Sequence, residues 1–172
     1  MTLRLSEIDT PLGPLVAAVD ADGVVRRLAF ARDTPIAAVA HAVSRAEGEG
    51  VVWEPAAGEA LARELAEFFQ GGRRAFDLAI DPRGTAFDLR VWQALGEIPY
   101  GQTVSYGDLA ERLGEPGAAR AVGRAAALNP IPIVVPCHRL VGAGGRLTGY
   151  AGGLEAKRRL LALEGALPPT LL

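Results

Sequence analysis

The only cysteine in the chain lies in the run Val135-Pro136-Cys137-His138-Arg139, where a thiol, an imidazole and a guanidinium follow one another. Ile131, Ile133, Val134 and Val135, punctuated by Pro130, Pro132 and Pro136, lead into it. An apolar run broken this way predicts a short, stiff, largely buried segment in which packing fixes the thiol. A thiolate is a strong nucleophile, and an adjacent imidazole is one means of generating it. A lone buried cysteine is more often a small hydrophobe than a nucleophile. The case for chemistry therefore rests on what surrounds the segment.

Upstream, Thr85 with Asp88 three residues on predicts a capping box that opens a helix to about Glu97, with Phe87, Val91, Trp92 and Leu95 inward. Ser105 and Asp108 repeat the pattern and start a short helix with Leu109 and Leu113 inward. After the turn Gly114-Glu115-Pro116-Gly117, a helix is expected from about Ala118 to Leu128, stopped by Asn129-Pro130. Two short helices across a glycine-containing turn make a helix-turn-helix candidate. At 100° per residue, Arg120 and Arg124 share a face of the second helix with Gly123 and Ala127, while Ala118, Val122 and Ala125 point the other way. A major-groove reader carries long polar side chains. This face carries few, and it suits close approach to a nucleic-acid backbone with arginine supplying charge or inserting.

The N-terminal half predicts a small α+β unit. Thr2–Ile8, Leu15–Asp20 and Val24–Phe30 are expected as three antiparallel strands, with Asp22-Gly23 as a hairpin turn. Helices are expected from Thr34-Pro35 to about Arg45 and from about Pro55 to Phe69, the second ended by Gly71-Gly72. His41 falls on a polar face and Trp53 is expected to pack. The boundary is placed at Asp81-Pro82-Arg83-Gly84, giving an α+β support domain (residues 1–84) and a mainly helical, winged-helix-like domain (residues 85–172).

The 172 residues are 49% hydrophobic, enough for a core in one domain or two small ones. With no apolar run of spanning length and no basic-apolar leader, the chain is expected to be soluble, cytoplasmic and without membrane contact. One cysteine forms no internal disulfide, and Cys137, His138 and His41 are too few soft ligands for a structural zinc site, so no metal or cofactor is expected. The net charge of -2 is unevenly spread: residues 1–89 carry nine Arg against fourteen acids, and residues 90–160 carry nine Arg plus Lys against five. A basic half on an acidic support is what a polyanion-binding module would show.

Residues Phe87 to Gly165 resemble the 6-O-alkylguanine-DNA alkyltransferases, also called methylated-DNA–protein-cysteine methyltransferases. The matching blocks are Val104-Ser105-Tyr106, Ala118-Ala119-Arg120-Ala121-Val122-Gly123, Asn129-Pro130, Ile131 to Arg139, Gly149-Tyr150-Ala151-Gly152-Gly153-Leu154, Lys157 and Leu163-Glu164-Gly165, in the family's order and spacing. The Leu147 to Gly153 run is most similar to the small constitutive bacterial members. The N-terminal half matches only in general character and lacks the zinc ligands that some relatives carry.

The resemblance implies direct reversal of DNA damage. Cys137 would displace guanine from the alkyl carbon on its 6-oxygen, leaving a thioether on the protein, so each molecule would act once. His138, relayed through water and held by Glu164, would take the thiol proton, and Asn129 would brace the turn before the cysteine segment. Neighbours on an extended segment point to opposite faces, so a water relay is expected in place of direct contact between Cys137 and His138. Tyr106 and the Ala151 N–H would donate to the leaving base, and the carbonyls of Cys137 and Leu140 would accept from its amine. Gly149 and Gly152 would let the loop approach the base, with Tyr150 as a wall. The nucleotide must leave the stack, which costs a few kcal/mol. Arg120 would fill the gap while Ala119, Ala121, Gly123 and Arg124 line the minor groove of double-stranded DNA. A monomer is expected. The resemblance leaves open the alkyl range and the choice between guanine and 4-O-methylthymine lesions.

Three other classes fit the residues less well. A transcription factor needs no glycine loop beside a cysteine. A non-enzymatic alkyltransferase-like binder would have the cysteine replaced. A cysteine hydrolase needs a distant histidine, and His41 has no supporting motif.

Overall fold

A computed structural model describes residues 1–167, which divide into two compact units, Met1–Arg83 and a second beginning at Gly84. In the first, β1 (Thr2–Thr10), β2 (Gly13–Val19) and β3 (Val25–Phe30) form an antiparallel meander. The turn into β3 is tied by Asp20, whose Oδ1 accepts from the N–H groups of Asp22 and Val24. The helix α1 (Ile36–Glu47) ends at Gly48 in the left-handed region and lays Val39, Ala40 and Val43 on Leu3, Leu5, Val16 and Ala18.

A fourth strand absent from the sequence reading, β4 (Gly50–Trp53), pairs parallel to β1 at the sheet edge, giving the order β3-β2-β1-β4. Its four residues are too short for an alternating pattern to show. Trp53, expected to pack, is half exposed on this edge strand. The expected helix from Pro55 begins as a 3-10 turn (Pro55–Gly58) and becomes α2 only at Glu59 (Glu59–Phe69). Gly58 sits against β1, where a Cβ would come within 2.6 Å of the Ser6 Cβ. Leu61, Leu65 and Phe68 form the buried face of α2.

In the second unit, α3 (Ala86–Gly96) opens with both halves of the Thr85–Asp88 capping box in place. Val91, Trp92 and Leu95 are buried, while Phe87 is only partly so. After β5 (Val104–Ser105), Ser105 caps α4 (Tyr106–Arg112), and α5 (Ala119–Ala127) follows across the turn. Val122 and Ala125 of α5 face inward, and Trp92 Nε1 donates to the Ala125 carbonyl at 2.8 Å. The opposite face exposes Arg120, Arg124 and Ala127. β6 (Leu140–Val141) pairs parallel with β5, and α6 (Leu154–Leu163) completes the described fold. No helix among the described residues is long and apolar enough to cross a membrane.

Candidate active site

Asn129, at the end of α5, builds the support for the cysteine. Its Nδ2 donates to the Val135 carbonyl at 2.8 Å and its Oδ1 accepts from the Ile131 N–H at 3.0 Å, both buried. The loop between them holds Ile133 at φ +74°, a left-handed conformation that is a genuine outlier for a β-branched residue. Such strain persists only where the surroundings over-determine it. Here the two Asn129 bonds, the Val135 N–H to Ile131 carbonyl bond at 2.9 Å, and near-complete burial do so. The loop leaves Cys137 at a fixed place.

Cys137–Arg139 form a single 3-10 turn instead of the extended segment expected, because the Arg139 N–H closes on the Pro136 carbonyl at 3.0 Å. Cys137 and His138 are therefore not set on opposite faces of an extended segment, and that ground for a relay is corrected. A different observation bears on the same question. His138 Nε2 lies 2.8 Å from Glu164 Oε2, and His138 Nδ1 has no hydrogen-bond partner among the described residues although it is buried. Glu164 is also gripped by Arg139, with Nε to Oε1 at 2.9 Å and Nη2 to Oε2 at 2.8 Å. This two-point geometry gives strong, directional ion pairing. Arg139 in turn donates to the Ile98 carbonyl at 2.7 Å and lies over the Tyr100 ring.

The electrostatics follow. Burial pushes the Glu164 carboxyl up, but the hydrogen bonds and charges of His138 and Arg139 outweigh it and bring it down to about 2. Burial drives the His138 imidazole below its ordinary value despite Glu164. At neutral pH the pair is then a carboxylate accepting from a neutral imidazole at Nε2, which leaves Nδ1 as a base. Burial pushes the Cys137 thiol up, with Asn129 and Lys157 pulling the other way. Lys157 is itself buried, and desolvation brings its ammonium down to about 8.

Cys137 opens on a cavity of about 410 Å³ lined also by Tyr106, Gly123, Ala126, Ala127, Gly149, Tyr150 and Ala151. Four of the predicted pocket residues thus meet at the cysteine. Leu140 is fully buried in β6, with its N–H on the Cys137 carbonyl, and neither it nor Gly152 lines the cavity. Ala126, Ala127 and Gly123 enter as a wall because α5 presents its small-residue side there. Arg120 and Arg124 stand on the exposed face of α5, and Ala119 and Ala121 are partly buried beside them. Arg139 and Thr148 were not singled out from the sequence. The Pro-Cys-His-Arg run pointed at the first, and no local signal pointed at the second. No cluster of three or more His, Cys, Asp or Glu residues suited to a metal ion occurs among the described residues.

Fold and site define a class: a helix-turn-helix protein with a buried cysteine at the floor of a cavity bounded by the second helix of that motif. Residues 86–166 match the family model of the 6-O-methylguanine DNA methyltransferase DNA-binding domain. The methylated-DNA–protein-cysteine methyltransferase of Mycolicibacterium paratuberculosis is 46% identical over 165 residues, 96% of this chain and 94% of that protein. A similarly named protein of Methanosarcina acetivorans is 43% identical over 92% of this chain and 96% of its own length. The crystal structure of Mycobacterium tuberculosis O6-methylguanine methyltransferase superposes with a TM-score of 0.83 at 43% identity, covering 97% of this chain and 95% of that one. The OGT of the same organism in complex with DNA gives 0.81 at 42% identity, covering 96% and 94%. The chain belongs to the methylated-DNA–protein-cysteine methyltransferase family.

Proposed function

We propose that this chain repairs alkylated DNA by moving the alkyl group from the 6-oxygen of guanine to Cys137, once per molecule. The observation that carries the reading is the cavity with Cys137 at its floor, beside an imidazole whose one unengaged nitrogen is a base. A thiol whose pKa is pushed up by burial is protonated at neutral pH, so the reaction needs a proton acceptor. A water between the thiol and His138 Nδ1 passes the proton on. Glu164, held ionised by Arg139, stabilises the imidazolium that results.

The thiolate attacks the alkyl carbon in line, the carbon–oxygen bond breaks, and the electron pair leaves with guanine. Tyr106 donates to the base as charge builds there, joined by the Ala151 N–H. A thioether is inert to water, so the alkyl group stays on the sulfur and the transfer is stoichiometric. The carbon is inaccessible in stacked DNA, so the nucleotide is extruded into the cavity. The small-residue face of α5 approaches the minor groove and Arg120 occupies the space left in the stack. The protein works as a monomer in the cytoplasm, with the first unit supporting the second.

The test is incubation with duplex DNA carrying radiolabelled 6-O-methylguanine. Label should end covalently on Cys137 in at most one equivalent. Label on another residue, or turnover beyond one equivalent, overturns the reading.

A further inference from the structure

The Tyr106 hydroxyl lies 2.8 Å from Thr148 Oγ1, across 42 residues of sequence. Tyr106 begins α4 at the edge of the cavity, and its ring runs alongside Gly123 of α5, where a Cβ would come 3.7 Å from Cδ1. The ring is therefore placed by α5 and its hydroxyl by Thr148. Thr148 is itself anchored twice. Its carbonyl accepts from the buried Lys157 Nζ at 3.0 Å, and its methyl lies beside Gly142, where a Cβ would approach it to 3.4 Å. Lys157 belongs to α6, so the loop that reaches Tyr106 is tied to a helix at the residue that makes the contact.

We propose that Thr148 is a positioning residue for the transfer, its hydroxyl donating to the Tyr106 oxygen so that the Tyr106 proton is directed at the departing base. The inference rests on the transfer reading above. A phenol has one proton to give and two lone pairs to receive. Within the pair by itself, either oxygen is able to donate. When a purine enters, its ring nitrogen is an acceptor only, and the Tyr106 proton turns to it. Thr148 then supplies the one hydrogen bond that keeps the phenol oxygen in place. A phenol that accepts a hydrogen bond is polarised and becomes a stronger donor. That strengthening matters most as negative charge grows on guanine, so Thr148 acts on the transition state through Tyr106.

Single-turnover transfer from duplex DNA carrying 6-O-methylguanine tests this with four variants. Thr148→Val keeps the methyl and removes the hydroxyl, and should slow transfer about tenfold. Thr148→Ser keeps the hydroxyl and should stay within about twofold of wild type. Adding Thr148→Val to Tyr106→Phe should cost nothing further, since the hydroxyl's only target is gone. Alkylation of Cys137 by iodoacetamide, which needs no Tyr106, should be unchanged in every folded variant and reports any that fail to fold. An equal loss from Thr148→Val with and without Tyr106→Phe overturns the proposal, as does a Thr148→Ser variant as slow as Thr148→Val. Both results leave the transfer reading standing. A wild-type protein that takes no methyl group from that duplex onto Cys137 overturns that reading and this proposal with it.

Discussion

Each unit buries a cluster of charge, and the two clusters are built differently. In the first unit Arg26 is 1% exposed, with Nη2 at 2.9 Å from Glu47 and 3.1 Å from Glu49, and Arg27 Nε adds a bond to Glu47 at 2.9 Å. In the second, Arg139, Glu164 and His138 form a chain of similar lengths. Both leave buried nitrogens without a hydrogen-bond partner among the described residues, Arg26 Nε and Nη1 in one and His138 Nδ1 in the other. The difference lies in what those nitrogens can do. A guanidinium neither accepts nor readily loses a proton. A neutral imidazole accepts one in the range where a thiol needs a base. Buried charge alone therefore does not mark a site. An unengaged acceptor, a nucleophile and a cavity together do.

The largest effect that would sharpen this contrast is the loss of the nucleophile. Cys137→Ala should abolish label transfer while leaving duplex affinity close to wild type, because the thiol contributes only reaction. Gel-shift and label-transfer assays on the same preparation check both. Next comes the base. His138→Ala should slow transfer roughly a hundredfold at neutral pH, with Glu164→Gln weaker in the same direction.

The pH profile carries the sign. With the imidazole in place, its lowered pKa keeps it neutral, and the rate should hold well into mildly acid solution. Without it, the rate should follow thiol ionisation and keep climbing past the ordinary thiol range, since burial raises that pKa. Profiles of both variants matching wild type would mean that the second cluster is as inert as the first.

A smaller and more selective loss is expected at Arg120. Arg120→Ala should react with free 6-O-benzylguanine at close to the wild-type rate and repair alkylated duplex more slowly by tenfold or more, on the order of the extrusion cost. Equal slowing on both substrates would place Arg120 in the cavity chemistry.

The smallest effect on transfer should come from the first cluster. Arg26→Met leaves Glu47 buried beside one remaining arginine and should cost about 3–5 kcal/mol of stability. Urea denaturation checks the loss, and transfer by the folded fraction should be unchanged. A slowed reaction in that fraction would break the comparison between the two clusters.

Much of this protein was legible in its sequence, where the signal is local. The Thr85–Asp88 capping box, the Asp22-Gly23 turn and the inward and outward faces of α5 depend on neighbours within a few residues, and the structure has each of them. The Pro-Cys-His-Arg run with the blocks around it was enough to point to the family. Strand β4 was not legible, because four residues carry no period and its pairing with β1 is a contact across nearly fifty residues. Nor was the turn at Cys137, since Pro136 permits both an extended continuation and a 3-10 turn, and the buried loop around Ile133 selects the second.

The chain thus determined by itself which groups are present and which short elements carry them, because helix caps, turns and amphipathic faces are decided by bonds and periods within one element. Tertiary structure alone decided that Arg139 clamps Glu164, that His138 keeps one nitrogen unengaged, and that Thr148 meets Tyr106. Those contacts join residues 25 to 42 positions apart, and no local rule sets a distance across that much chain.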